Sequence, residues 1–311
     1  EVLNRDDFIS NILDILSVDG KLYSVAESFC INTLVGKTSD VGTGKSWSFK
    51  DVVELVKSHP DSQLMQYVTK TDGLSTMVMY SMDSFYNSET GECKFDSEDF
   101  ISLELCNTFP KEYDYNSGES ESTASLLRSG KVLLTSVNMS SFSDMQMFPA
   151  LYGEPVNFIG FPTNSGSGSV VGFNNRFCVA AKSKNKDGAW AFIRSFLLPD
   201  NQNKLDWNLP VNKAAFEQKI ADAMKKQDDN DSVVSTWWYD DVEITIGPLT
   251  EEDAQVVRDM VYNATTEATY DEQLMNIITE EAEYYFNGEK SAQEIAGIIQ
   301  SRAQLYIDEN R

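Results

Sequence analysis

The segment KLYSVAESFCINTLVG, residues 21–36, is rich in β-branched and aromatic residues. Its apolar residues do not alternate regularly with polar ones, as they would in a strand with one face in water. A near-continuous apolar run of this kind is typical of a strand that is covered on both faces. The segment therefore predicts a strand that crosses between buried surroundings.

Helical patterns flank this strand. Before it, Asp6 and Asp7 precede an apolar stripe that predicts an amphipathic helix. After it, Ser48 is placed to cap a helix that must end before Pro60. Further strands are predicted at residues 131–137, 156–162 and 177–181, with helices between them. This alternation predicts α/β layers with largely parallel sheets.

The last part of the chain has a different pattern. From Thr250 onward only helices are predicted, and the first of them begins with a Thr-Glu-Glu-Asp capping box. Ser291 and Glu294 form a second box, in which a hydroxyl and a carboxylate bond to free amides at the start of a helix. Gly288 allows the turn before that helix. We expect the terminal helix to dock through one apolar face.

Length and charge limit the classes of function. A chain of 311 residues exceeds the usual size of one domain, so two lobes are expected. The net charge of -24 opposes binding to nucleic-acid phosphates and to anionic lipid surfaces. We therefore expect no nucleic-acid partner.

The cysteines are Cys30, Cys93, Cys106 and Cys178, and they are widely spaced. With a single histidine in the chain, they do not form the compact set of four donors that zinc requires. We predict four buried thiols, no metal site and no cofactor.

Catalytic motifs are weak. Residues 42–46 resemble the end of a phosphate-binding loop, but Ser39 stands where its first glycine is required. A histidine-dependent triad would depend on His59 alone. The 49 acidic residues leave open a glycoside hydrolase with paired carboxylates, because a sequence does not give the distance between two carboxyl groups.

Aromatic residues near strand ends and turns give a stronger indication. Aromatic rings can cover the C–H face of a sugar while polar side chains bond to its hydroxyls, which is typical of an oligosaccharide site. The alternative for any one of these rings is core packing between elements. The residues are Phe29, Phe142, Phe173, Trp207, Trp237, Trp238 and Tyr239.

Several segments, taken in order, resemble one family. GKLYSVAESF at residues 20–29 is similar to that family's Gly-Lys-Leu-Tyr strand, which leaves the first lobe and enters the second. Residues 35–57 resemble the loop and Trp-containing helix that follow it, with Gly36-Lys37 where Asn-Lys is usual. LLRSGKVLLTSVNMSSFSD at residues 126–144 is similar to the family's Gly-Lys strand and the ligand-facing turn after it.

The remaining matches follow in the same order. Residues 156–197 resemble the return crossing, and LPVNKAAFEQ at residues 209–218 matches a Leu-Pro-x-Asn-Lys-x-Ala element. Residues 288–294 resemble the start of the C-terminal helix. The family is that of the extracellular solute-binding proteins of bacterial ATP-binding-cassette (ABC) sugar importers, related to maltose-binding protein.

This resemblance implies an α/β, periplasmic-binding-protein-like (type II) fold, with two lobes joined by crossing hinge strands. It assigns residues 1–28 and 172–240 to the first lobe, and 29–171 and 241–311 to the second. Family members usually carry roughly a hundred or more further residues before the crossing strand, including the first strands of the first lobe. The first lobe is therefore expected to be incomplete.

The resemblance also implies a function. The protein would capture a carbohydrate, most simply an oligosaccharide, in a cleft between the lobes by hinge closure, and deliver it to a membrane permease. It would be a monomer without enzymatic activity, either a cell-surface lipoprotein or periplasmic. The alternatives are a secreted glycoside hydrolase and, if the cleft is incomplete, an interaction module that binds no sugar.

The resemblance also implies a set of ligand-binding residues, chosen by their positions in the family's pattern. Two further residues are predicted only because their aromatic rings could stack on a sugar. Those carried over by position are Glu27, Ser28, Phe29, Ser140, Ser141, Phe142, Asn174, Asn175 and Arg176. Those added as aromatic rings are Trp207 and Trp237.

Overall fold

A computed structural model describes residues 3–113, 121–164, 167–225 and 235–310. Its strands are β1 (Ser17–Val18), β2 (Lys21–Leu22), β3 (Val25–Ala26), β4 (Ser28–Lys37), β5 (Gln63–Met65), β6 (Val132–Met139), β7 (Val156–Phe158), β8 (Val170–Phe173), β9 (Arg176–Phe177), β10 (Leu209–Pro210), β11 (Ser235–Tyr239), β12 (Val242–Ile246) and β13 (Thr266–Glu267).

The α-helices of the described residues are α1 (Ser10–Ile15), α2 (Thr38–Val41), α3 (Phe49–Ser58), α4 (Lys70–Tyr80), α5 (Glu98–Ser102), α6 (Thr123–Ser129), α7 (Asp144–Tyr152), α8 (Lys186–Leu197), α9 (Pro199–Gln202), α10 (Lys213–Met224), α11 (Glu251–Tyr262), α12 (Glu272–Phe286) and α13 (Ala292–Asn310). Short 3-10 helices occur at Arg5–Asp7, Met82–Ser84 and Leu103–Thr108.

The chain divides into two compact units. Unit 1 consists of Glu1–Thr33, Val137–Gly153 and Ser169–Glu267, and unit 2 of Leu34–Ser136, Glu154–Gly168 and Ala268–Arg311. These bounds differ from those predicted for the lobes, because residues 137–153 and 241–267 belong to unit 1. The strands β4 and β6 each continue from one unit into the other.

Unit 1 is organised around the first residues of β4. They pair antiparallel with β8, where Phe29 lies opposite Phe173, and with β10, where Leu209 lies opposite Phe29. On the far side of β8, β13 adds a parallel strand. The Asn11 amide holds α1 to the end of α11 by donating to the carbonyl oxygens of Val261 and Ala264, each at 2.8 Å. Unit 1 thus contains a small mixed sheet and two helices that are joined to each other.

Unit 2 contains the second part of β4. Here β7 pairs with it antiparallel, while β5 and β6 pair in parallel. Two predicted helix starts are confirmed: Ser48 caps α3 by bonding to Asp51, and Ser291 exchanges the same bonds with Glu294 before α13. Both boxes satisfy amides that the first turn of a helix leaves free.

Three local predictions were wrong. The sheets are not largely parallel, since β7, β8 and β10 all run antiparallel to β4. The region after Thr250 is not wholly helical, because β13 pairs with β8. The strand expected at residues 177–181 is limited to β9, which ends at Phe177. Paired segments of two residues are too short to show a period-2 pattern.

The cysteine prediction is confirmed for three residues and wrong for one. Cys30, Cys93 and Cys106 are free and buried, whereas Cys178 is free and exposed. Cys178 is exposed because the chain leaves the strand pair after Phe177. Burial raises the pKa of the Cys106 thiol to about 12 and that of Cys93 to about 11, so neither is a reactive thiolate at neutral pH. No helix in the described ranges is long and apolar enough to cross a membrane.

A close backbone approach in unit 2 requires glycine. The Phe161 amide donates to the Gly168 carbonyl at 2.8 Å. A Cβ atom on Gly168 would lie 2.0 Å from the Phe161 carbonyl oxygen. Gly160, immediately before Phe161, has a φ of 83°, which favours glycine. The backbone therefore leaves no room for a side chain at position 168.

We expect Gly168→Ala to lower the free energy of unfolding by at least about 2 kcal/mol, because backbone atoms must move to admit the methyl group. Gly297, inside α13, has no atom within 4 Å of the position its Cβ would take. Gly297→Ala should therefore raise the free energy of unfolding by about 0.5–1 kcal/mol. Urea denaturation of both variants is the measurement, and equal shifts would contradict the packing described for Gly168.

Candidate functional site

The eleven predicted site residues all lie in unit 1. Glu27 joins β3 to β4, Ser140–Phe142 follow β6, and Asn174–Asn175 join β8 to β9. Trp207 precedes β10, and Trp237 lies in β11.

Two contacts bring the positional candidates to one edge of unit 1. The end of β8 lies beside the start of β4, because Phe29 pairs with Phe173. The end of β6 also lies beside the start of β4, because the Asn138 amide donates to the Cys30 sulfur at 3.0 Å and to the Asn32 side-chain oxygen at 2.9 Å. The start of β4 and the ends of β6 and β8 therefore converge. We call this edge the convergent edge.

Glu27 is held in position on the convergent edge. The fully buried Gln202 donates its amide to the Glu27 carbonyl at 2.8 Å. The Asn175 amide donates to the Glu27 carboxylate at 3.3 Å. Two of the predicted residues are thus in direct contact, and the carboxylate has further lone pairs for a ligand hydroxyl.

Arg176 is the most highly bonded of the predicted residues. Its Nη1 lies 2.7 and 3.0 Å from the two carboxylate oxygens of Glu267, and its Nη2 donates to the Ser24 hydroxyl at 3.3 Å. The guanidinium also lies 5.7 Å from the Phe173 ring centroid. Ser24 and Glu267 were not predicted, because the short strand β13 that carries Glu267 gave no signal in the sequence.

The turn after β6 offers hydroxyls and one ring. Ser140, Ser141 and Phe142 are half-buried. The Ser141 and Ser143 hydroxyl oxygens are 2.9 Å apart, so one donates to the other. Phe142 packs edge-on against the fully buried Phe216, with ring centroids 6.4 Å apart. The turn is therefore supported from the core while part of each side chain remains accessible.

Asp144, at the start of α7, is a titratable residue next to this turn that the prediction missed. Burial raises its pKa from 3.8 to about 6, although a hydrogen bond from the Ser141 backbone acts in the opposite direction. Desolvation disfavours the charged form of a carboxyl group. A desolvated carboxyl therefore adjoins the predicted ligand-facing turn.

The structure argues against direct ligand contact by two of the predicted residues. Ser28 is 3% exposed and Phe29 is 0% exposed. Both lie in β4, which is buried along its whole length because other chain segments cover both of its faces. Phe29 is therefore a core residue, and this outcome agrees with the packing alternative that the sequence left open for each ring.

The two tryptophans lie in different settings. Trp207 is 76% exposed, two residues before Leu209, which pairs with Phe29. The loop between them includes Asn208 in the left-handed region, with a φ of 68°. Trp207 thus presents a free ring close in sequence to a strand of the convergent edge.

Trp237 belongs to the hairpin of β11 and β12. It lies across from the buried Ile244 and contacts Tyr239 edge-on at 6.3 Å. Successive side chains of a strand point to opposite faces, so Trp238 is on the other face, and it is 64% exposed against 37% for Trp237. The sequence gave no means of choosing between these adjacent rings.

The hairpin is fixed to α7. The Gln146 amide donates to the Gly247 carbonyl at 2.9 Å, and the Gly247 backbone amide donates to the Gln146 side-chain oxygen at 2.6 Å. The helix that follows the Ser140–Phe142 turn therefore also anchors the aromatic hairpin.

Two concavities lie within unit 1. A groove of about 290 Å³ adjoins Arg176, since Ser24 and Phe177 line it together with Tyr23 and Trp190. A larger one of about 720 Å³ has Asp6, Asp7, Lys213 and Glu217 among its lining residues, and its lining includes none of the eleven predicted residues. The larger concavity therefore lies away from the hydrogen-bonding groups of the convergent edge, and the smaller groove lies beside them.

Metal binding finds no support in the described part of the chain, which contains no cluster of three or more His, Cys, Asp or Glu side chains suited to an ion.

A family model for bacterial extracellular solute-binding proteins matches residues 9–230. No curated protein matches the sequence. Many solved structures share the fold.

Three of these structures come from different bacteria. A cyclic alpha-maltosyl-1,6-maltose binding protein from Arthrobacter globiformis has 11% identity and a TM-score of 0.56, with 98% of this chain and 77% of that chain covered. The GacH receptor of Streptomyces glaucescens, solved unliganded and with acarbose, has 16% identity and a TM-score of 0.54, with 99% and 77% covered. The sugar-binding protein MalE from Xanthomonas citri has 11% identity and a TM-score of 0.60, with 99% and 76% covered.

At such low identity, these likenesses show the fold alone. They confirm the predicted α/β, periplasmic-binding-protein-like architecture.

Asp144 gives a pH-dependent prediction. Because its pKa is raised from 3.8 to about 6 in the folded chain, the folded state binds a proton that the unfolded state has released, and this stabilisation is lost as the pH rises through about 6. Asp144→Asn removes the buried charge. We expect it to raise the free energy of unfolding by about 1–2 kcal/mol at pH 7 and by little near pH 4.

Denaturant unfolding at both pH values is the measurement. Asp14→Asn is the control, because the Asp14 carboxylate is exposed and makes only a surface ion pair with Arg5. That substitution should change the free energy of unfolding by no more than about 0.5 kcal/mol. An equal effect of Asp144→Asn at the two pH values would contradict the role assigned to desolvation.

Proposed function

Because the chain belongs to the family of bacterial extracellular solute-binding proteins, we propose that it captures a carbohydrate, most simply an oligosaccharide, and delivers it to the membrane permease of an ABC importer. Of the three similar structures described above, two are of proteins named for binding a maltose-type sugar or a sugar, and the GacH receptor was solved in complex with acarbose. That naming supports carbohydrate as the ligand class here.

The observation that carries the proposal is the convergent edge. It places the Glu27 carboxylate, the Asn175 amide and the Arg176 guanidinium at the ends of neighbouring strands. Sugars need both hydrogen-bond donors and acceptors, and this set provides both. The half-buried Ser140–Phe142 turn adds hydroxyls and a ring at the same edge.

We further propose that units 1 and 2 are the two lobes expected of the family. The chain passes from unit 1 to unit 2 within β4, after Thr33, and returns within β6, after Ser136. Binding proteins of this kind work by rigid lobes that move about connecting segments. The two strands are the segments proposed to act as hinges.

Capture by hinge closure needs no covalent step, so we propose that the protein is not an enzyme. Asp144 is the residue that a glycoside hydrolase would use, since a carboxyl with a raised pKa can act as a general acid. Such an enzyme needs a second carboxylate at a set distance. Glu27 and Glu267 are already bonded to Asn175 and Arg176, which suits binding better than nucleophilic attack.

The family is extracellular, and we propose that this member is periplasmic or a cell-surface lipoprotein and acts as a monomer.

Calorimetric titration against neutral oligosaccharides tests the proposal, with Trp207→Ala as the variant. We expect heat of binding with at least one sugar, and about tenfold weaker affinity for the variant, since loss of one stacked ring costs on the order of 1–1.5 kcal/mol. Trp207 is highly exposed, so the variant should fold. Tyr270→Ala, at an exposed ring in unit 2, should leave the affinity unchanged.

Chromatography of the sugar after long incubation separates binding from hydrolysis. Recovery of intact sugar is the expected result, and cleavage would favour the hydrolase. Absence of heat with every sugar would count against carbohydrate capture.

A further inference from the structure

Arg176 would ordinarily attract an acidic ligand. A guanidinium is always charged near neutral pH and matches the geometry of a carboxylate through two parallel hydrogen bonds. Arg176 is exposed and lies at the start of β9, where it pairs with Ala26, next to Glu27. If its charge were free, the convergent edge would favour sugars that carry a carboxylate, such as uronic acids.

Glu267 already supplies a counter-charge to Arg176. Both of its carboxylate oxygens lie within 3.0 Å of the Arg176 Nη1 atom, and the Ser24 hydroxyl accepts from Nη2. Three hydrogen-bond contacts thus hold the Nη1 and Nη2 edge of the guanidinium, while its Cζ atom lies over the Phe173 ring. Of the five N–H donors of an arginine, some remain for neutral hydroxyl groups.

The backbone fixes Glu267 in place. It lies in β13, directly opposite Val171 of β8, which is a fully buried strand residue. Burial raises the pKa of Glu267, and the nearby Arg176 acts in the opposite direction. If a ligand carboxylate displaced Glu267 from Arg176, a half-buried carboxylate would lose this ion pair, which is unfavourable.

Glu27 adds a second obstacle to an acidic ligand. Its carboxylate projects from the same edge and contacts Asn175, the residue before Arg176. An acidic sugar would therefore meet two carboxylates and an arginine whose charge is already balanced. A neutral sugar hydroxyl can donate to Glu27 and accept from the free donors of Arg176 without this repulsion.

We infer that Glu267 sets the ligand class of the proposed site: by pairing with Arg176 it selects neutral oligosaccharides and excludes those that carry a carboxylate. The inference rests on the proposed function and goes further in naming the class of sugar and the residue that determines it. Glu267 acts through Arg176 and is a positioning residue.

Glu267→Gln tests this role, since glutamine keeps the shape of the side chain and one acceptor but releases the charge of Arg176. Wild type and variant are titrated with a neutral oligosaccharide and with its uronic-acid counterpart. We expect wild type to bind the neutral sugar at least tenfold more tightly. In the variant the ratio of affinities should shift toward the acidic sugar by tenfold or more, and the shift should shrink at high salt.

Two further variants define the cause. The double variant Arg176→Gln with Glu267→Gln should lose the shift, because no positive charge is released. Glu281→Gln breaks another Arg–Glu pair, with Arg302 in unit 2, and should leave the ratio at the wild-type value. If thermal melting shows that Glu267→Gln does not fold, the single variant Arg176→Gln tests the role of Glu267. We expect Arg176→Gln to keep or strengthen the preference for the neutral sugar over the acidic sugar.

The outcomes separate the two proposals. If wild type binds the acidic sugar as tightly as the neutral one, or if Glu267→Gln leaves the ratio unchanged, the role of Glu267 is refuted while carbohydrate capture stands. Loss of the wild-type rejection in Arg176→Gln would also refute it. If wild type binds neither sugar, the proposed function itself fails, and this inference fails with it.

Discussion

The burial of β4 on both faces is the constraint on which the rest of the structure depends. Each of its ten residues is buried, including four with polar or charged side chains that require partners, namely Ser28, Asn32, Thr33 and Lys37. Asn32 accepts a bond from Asn138, and Lys37 donates to the Arg128 carbonyl at 2.9 Å and pairs with Glu154 at 2.7 Å. Because these groups are satisfied only when the neighbouring strands are in register, β4 fixes the positions of the segments around it.

The convergent edge is a consequence of this arrangement. Gly172 of β8 lies so close to β4 that a Cβ atom there would be 2.7 Å from the Cys30 sulfur and 2.9 Å from the Asn32 amide nitrogen. Glycine at this position lets β8 approach, and the chain then turns through Asn174 and Asn175 to Arg176. The contacts of Asn138 hold the end of β6 on the same strand. Buried packing thus sets the spacing of exposed polar groups.

The sequence was sufficient to predict the local elements that have strong signals. The near-continuous apolar run of residues 21–36 predicted one strand, and the structure forms it as β4 preceded by the short strands β2 and β3. The capping residues Ser48 and Ser291 predicted two helix starts. The predictions failed where the decisive contact is long-range. Glu267 reaches Arg176 across 91 residues of chain, through a strand of two residues that has no periodicity. Phe29 is an aromatic residue of the kind that can stack on a sugar. Its pairing with Phe173 of β8 and Leu209 of β10 shows that neighbouring strands cover it.

Three carboxyl groups of unit 1 show how environment assigns different roles to similar side chains. The Glu27 carboxylate accepts from the Asn175 amide, and the Glu267 carboxylate pairs with Arg176. The Asp144 carboxyl is desolvated, and no cationic group contributes to the shift of its pKa. A half-buried carboxylate that lacks a counter-charge lowers stability. A ligand hydroxyl that donates to Asp144 would supply the hydrogen bond that water supplies in the unfolded chain. The same desolvation would strengthen that bond, because a hydrogen bond is stronger in surroundings of low dielectric constant.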